Sequence, residues 1–129
     1  MITEDYVSYE VAKLLKEKGF DTFKSYGWDE ELFDKEHPRN FSLGFDSKEH
    51  WISCPSQSMA MKWLREVHNY HTEIERNFEY FHNGIMHKPS YDAVVQDIAN
   101  KDKNYFVAEC NTYEEAVEAA LKYCLENLI

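Results

Sequence analysis

The sequence predicts an α+β domain: a mainly antiparallel sheet with about three helices packed on it. Three observations carry this expectation. Capped apolar stripes of helical period occur near the start, the middle and the end of the chain. Between the second and third of these, polarity alternates with a period of two. Finally, only four Gly and three Pro interrupt 129 residues, with no linker between the elements. A chain of this length buries roughly two thirds of its unfolded surface. With 43% hydrophobic and 16% aromatic residues, it can build a core without disulfide staples. No linker, repeat or low-complexity tract divides it, so it reads as a single domain over residues 1–129.

The first helix is expected from about Ser8 to Lys18. Ser8 is a suitable N-cap, Val11, Leu14 and Leu15 form a stripe, and Gly19 supplies the left-handed stop. Thr3 is an alternative cap one turn earlier. Residues 20–52 hold Gly27, Pro38 and Gly44 among acidic clusters. Short strands fit Phe23–Trp28, Phe41–Phe45 and Trp51-Ile52. A second helix follows Pro55, which suits a first helical position, with Met59, Trp63, Leu64 and Val67 on one face. From Tyr70 to Tyr80 the period becomes two: Thr72, Ile74, Phe78 and Tyr80 alternate with Glu73, Glu75, Asn77 and Glu79, the pattern of a half-buried strand. Two more strands fit Tyr91–Ile98 and Tyr105–Cys110, separated by the turn-forming residues 100–104. The last helix opens on the capping box Thr112-Tyr113-Glu114-Glu115 and continues through Ala116, Val117, Ala120, Leu121, Cys124 and Leu128 at helical spacing.

Charge narrows the function classes. Fourteen basic residues against 24 acidic ones give a net charge of −10. Such a field repels phosphate backbones and anionic membrane surfaces, and no Lys/Arg run offsets it. The expected partner is therefore a protein that the sequence does not identify, with no nucleic acid and no membrane; nothing specifies the oligomeric state. The first residues show neither the basic nor the apolar region of a signal peptide. Three cysteines, Cys54, Cys110 and Cys124, are an odd count, which fits free thiols in a reducing cytoplasm.

Three segments, Val7–Asp21, Cys54–Asn69 and Thr112–Ile129, resemble a group of short proteins from gut-bacterial genomes that often lie near prophage or other mobile elements. The middle segment, with Cys54-Pro55-Ser56-Gln57-Ser58-Met59-Ala60-Met61-Lys62-Trp63 at its head, is the most distinctive. The resemblance implies a setting, an accessory protein of mobile DNA, and no activity.

Few residues suggest chemistry. His68 and His71 could begin a zinc site, but they lack the paired spacings of structural zinc; capping or solvated histidines are the plainer reading. Cys54, ahead of a helix N-terminus, could be a reactive thiol, although Gln57 stands where a resolving cysteine would; a small apolar residue is the plainer reading. His68-Asn69 and His82-Asn83 echo fragments of histidine-centred nucleases without a basic groove. The carboxylates Glu73, Glu75, Glu79, Glu114, Glu118 and Glu126 could line one face, as in acidic mimics of DNA, or merely solubilise the domain. Trp28, Phe33 and Trp51 could anchor a partner protein or fill the core. No catalytic residue, cofactor or complete metal site emerges. The sequence thus points to a non-enzymatic interaction module. The alternatives are a small thiol- or metal-dependent enzyme and an acidic DNA-mimic inhibitor.

Overall fold

The computed structural model describes residues 5–32, 34–43 and 48–129. Among them, three α-helices accompany antiparallel strands, so the class is α+β as expected. The strands fall into three sheets rather than one. The chain forms two compact units, Met1–Ala60 and Met61–Ile129. Their boundary falls inside the second helix.

In the first unit, helix α1 spans Tyr9–Glu17 and is capped as its sequence requires. Ser8 Oγ accepts a hydrogen bond from the Val11 amide, and Gly19 closes the helix at φ 101°. Val11, Ala12 and Leu15 are its buried stripe. The alternative cap Thr3 lies outside the described residues. Strands β1 (Tyr26–Asp29), β2 (Arg39–Asn40) and β3 (Trp51–Ser53) pair antiparallel in the order β2-β1-β3. β1 thus begins three residues later than expected, and the strand expected at Phe41–Phe45 is not found over Phe41–Leu43. Residues 44–47 lie outside the described set. Gly27 leaves no room for a side chain against β3: a Cβ there would overlap the Ile52 carbonyl oxygen.

The indoles of this unit are core, not partner anchors. Trp28 and Trp51 are each 3% exposed. Trp28 meets the Tyr9 ring edge-on at 5.5 Å, and Trp51 Nε1 donates to the Lys24 carbonyl at 2.7 Å. Phe33, the third expected anchor, lies outside the described residues.

Helix α2 spans Gln57–His68. Ser56 is its cap: its Oγ accepts from the Met59 amide and its carbonyl from the Ala60 amide. Pro55 is therefore outside the first turn, and its carbonyl accepts from the Val7 amide at 3.2 Å. The buried stripe is Gln57, Ala60 and Leu64. It is rotated from the expected face, leaving Val67 57% exposed.

The second unit is built on strands β4 (Tyr70–Asn77), β7 (Ser90–Asp97) and β8 (Asn104–Cys110), in the order β4-β7-β8, all antiparallel. Between β4 and β7 the chain forms a separate hairpin, β5 (Tyr80–His82) and β6 (Ile85–His87). The strand expected over Tyr70–Tyr80 therefore ends at Asn77. Thr72 is buried as its alternation requires, but Phe78 and Tyr80 are 71% and 52% exposed. The β7–β8 turn is stabilised by Asp97 and Asn100, whose side-chain oxygens accept from the Ala99 and Asp102 amides.

Helix α3 (Tyr113–Tyr123) lies on one face of this sheet. Thr112 Oγ1 accepts from the Glu115 amide at 3.2 Å, and Ala116, Val117, Ala120, Leu121 and Cys124 are buried as expected. Tyr105 and Tyr123 bring β8 and α3 together, as do Tyr91 and Tyr113 for β7 and α3. The last turn, Cys124–Leu128, widens to π geometry. Leu125, four residues after the buried Leu121, is in the core, while Leu128 is only partly buried. A β-bulge interrupts the β7–β8 ladder: Ala93 faces Ala108 and Val94 faces Phe106, leaving Val107 without a partner.

Candidate functional site

Pairing register sorts the side chains of the β4-β7-β8 sheet. Directly opposed residues share a face, and the faces alternate along each strand. Thr72, Ala93, Val95 and Tyr105 belong to the face that α3 covers. The other face carries Glu73, Glu75, Asp92, Val94, Phe106 and Glu109. Glu75, Asp92 and Glu109 stand in one row across all three strands. Opposed like charges destabilise a sheet pair by a few tenths of a kcal/mol, so the row costs stability. Glu73 is hydrogen-bonded, accepting from Gln96 Nε2 at 2.8 Å. Asp92 Oδ1 is shut off from solvent and accepts no hydrogen bond among the described residues. The acidic sets that the sequence placed on one face are separated, because Glu114 and Glu118 belong to α3 on the opposite side of the sheet.

The hairpin is the second feature. His82 and Ile85 are opposed across the two-residue turn Asn83-Gly84, whose φ angles are 51° and 78°. Both central residues are left-handed, the geometry that follows the natural twist of a hairpin and that Asn-Gly adopts readily. Tyr80 and His87 stack at the base. Phe81 and Met86 are opposed on one face, and Ile85 projects from the other. All three are more than half exposed. Three residues per strand do not make a stable unit alone. An apolar hairpin uncovered on both faces is therefore unusual for a surface element.

Phe78, Tyr80 and His87 at the hairpin base, together with Asp92 and Glu109 on the sheet, line a groove of about 420 Å³. Arg76 places its guanidinium over the Phe78 ring, 5.1 Å from the centroid.

Comparison with family models, curated proteins and solved structures finds no match to this chain. The site is therefore read from its own geometry.

Cys54 directly follows β3, three residues before α2 begins, is 2% exposed, and its thiol donates to the Val7 carbonyl at 3.4 Å. Nucleophilic thiols need access and a stabilised thiolate; this one has a carbonyl acceptor and little access. Burial pushes the Cys124 thiol up to about 12. Burial, with Glu115 and Asp92 nearby, also raises that of Cys110. His68 ends α2 with its ring edge-on to Trp63 at 4.6 Å and its Nε2 buried without a hydrogen-bond partner among the described residues. His71 lies on β4 opposite Gln96, on the open face of the sheet. No group of three or more His, Cys, Asp or Glu side chains suited to a metal ion occurs among the described residues. Asn83 of the His82-Asn83 pair is a turn residue. No helix among the described residues is long and apolar enough to cross a membrane.

Sequence reasoning missed the hairpin and the groove. The hairpin had a signal, Asn83-Gly84 between two short apolar runs. The groove had none, since it exists only once the strand register is known.

Proposed function

We propose that the chain is a non-enzymatic protein-interaction module that docks its partner through the β5–β6 hairpin, as an accessory protein of a mobile element. The observation that supports this reading is the exposure of Phe81, Ile85 and Met86 on an element too short to be stable by itself. A partner with an apolar cleft would cover both faces of the hairpin and order it, with these side chains as anchors. The mobile-element setting rests on the family resemblance of the three helical segments. The net charge of −10 favours a protein partner over nucleic acid.

The test compares wild type with the double variant Phe81→Ser/Met86→Ser as bait in extracts of the native host. The reading expects one partner band that the double variant loses while a Phe106→Ser control, altered on the sheet, retains it. A band held equally by all three baits would overturn it. A duplex DNA gel shift run alongside, at about 150 mM salt, is expected to be negative.

A further inference from the structure

Resting on that reading, we propose that the groove between the hairpin base and the open face of the sheet binds an arginine side chain presented by the partner protein. Its two walls have complementary chemistry. One is aromatic: Tyr80 and His87 stack face to face, with Phe78 beside them. The other is acidic: Asp92 and Glu109 are directly opposed on β7 and β8. A guanidinium satisfies both walls at once. Its flat face packs on rings, and its fork of N–H donors matches carboxylate oxygens.

Two further observations favour a cationic occupant. The row Glu75, Asp92, Glu109 packs like charges across adjacent strands, a repulsion that a bound cation relieves. Finally, Arg76 over Phe78 shows the same cation–ring contact made within the chain. The groove's own cationic residue, Lys88, is exposed at its margin and forms no ion pair with Asp92 or Glu109 among the described residues. Lys88 therefore does not neutralise this wall. Aliphatic or acidic side chains would leave the acidic wall unsatisfied.

The experiment is an NMR titration of the full chain with an acetylated and amidated Gly-Arg-Gly peptide. Its arms are the same peptide carrying citrulline, the neutral isostere, and one carrying lysine. The arginine peptide is expected to shift the amides of Asp92 and Glu109 and the rings of Tyr80 and His87. Citrulline should bind roughly tenfold more weakly or worse, as the loss of a charged hydrogen-bond partner requires. Asp92→Asn/Glu109→Gln should lose the response by a similar factor, and its melting temperature should not fall, because the substitution removes repulsion. Glu114→Gln/Glu118→Gln, which removes the same charge from α3, should respond as wild type does. Shifts absent from the groove, equal for arginine and citrulline, or equally lost in the α3 variant would each overturn the proposal. Lysine binding as tightly as arginine would overturn the choice of guanidinium. The partner-capture test uses Phe81 and Met86, which lie outside the groove, so the two readings fail separately.

Discussion

Tyr80 and His87 lie face to face at the base of the hairpin, their ring centroids 4.4 Å apart and their planes 2° from parallel. The stack closes the hairpin at the end away from its turn. It also forms one wall of the groove, so the hairpin's register sets the groove's shape. The ring-current shift of His87 thus reports on both.

Gly84→Ala tests this coupling. Apart from its chain neighbours, no heavy atom of the described residues lies within 4 Å of the added Cβ, so the cost comes from its φ of 78°. That conformation costs an L-residue about 1–2 kcal/mol. The His87 shift is expected to move toward its random-coil value, while the second unit's sheet keeps its amide pattern. An unchanged His87 shift would mean that the turn does not hold the register.

Gly27→Ala tests the first unit. Its Cβ would meet the Ile52 carbonyl oxygen, backbone that cannot rotate away. We expect a loss of about 1–3 kcal/mol or more, read by urea unfolding with the fluorescence of Trp28 and Trp51 as reporter. A midpoint equal to wild type would refute the close approach of β1 and β3.

On α3, Thr112→Ala should cost about 1 kcal/mol through loss of the Glu115 amide's acceptor. Ala120→Asp should cost more than about 3 kcal/mol by placing an unpaired carboxylate in the core. Chemical denaturation of both variants checks the ranking, and the reverse order would overturn the burial of this stripe.

Alkaline pH gives a further expectation. The Cys124 thiol is raised from its ordinary value of 9.0 to about 12 by burial. A folded-state value above the unfolded one means that the native state holds its proton longer. Its contribution to stability is complete below about 9 and is lost as pH rises towards 12. Cys124→Ala should flatten the fall in stability across that window. An identical pH slope in the variant would show that Cys124 ionises in the folded chain as freely as in the unfolded one.

The parts legible in the sequence are those decided locally. Ser8 and Gly19 bound α1, and Thr112 starts α3, because a cap needs only a few neighbouring residues. The strands β7 and β8 agree with expectation to within a residue because turn-forming residues separate them clearly. Between residues 20 and 52, strands of two to four residues pair only through distant contacts, such as Gly27 with Ser53. Periodicity has too little length to act on there. Trp28 and Trp51 could therefore be read either as anchors or as core. At the hairpin, Phe78 and Tyr80 continue the alternation of β4 so smoothly that the Asn83-Gly84 turn was passed over. The groove required the register that opposes Glu75, Asp92 and Glu109, which no stretch of sequence contains.

The bulge at Val107 has a consequence for how β8 tolerates changes in chain length. Tyr105 and Ala108 are both on the α3-covered face although they are three residues apart, because Val107 takes up the extra step. Removing Val107 would restore simple alternation: Phe106 and Glu109 would stay on the open face and Tyr105, Ala108 and Cys110 on the covered one. Removing Phe106 or Ala108 would do the same, since Val107 would take the vacated place and Glu109 would stay on the open face. Within this strand, the bulge over residues 106–108 is thus the natural place for a related chain to be one residue shorter.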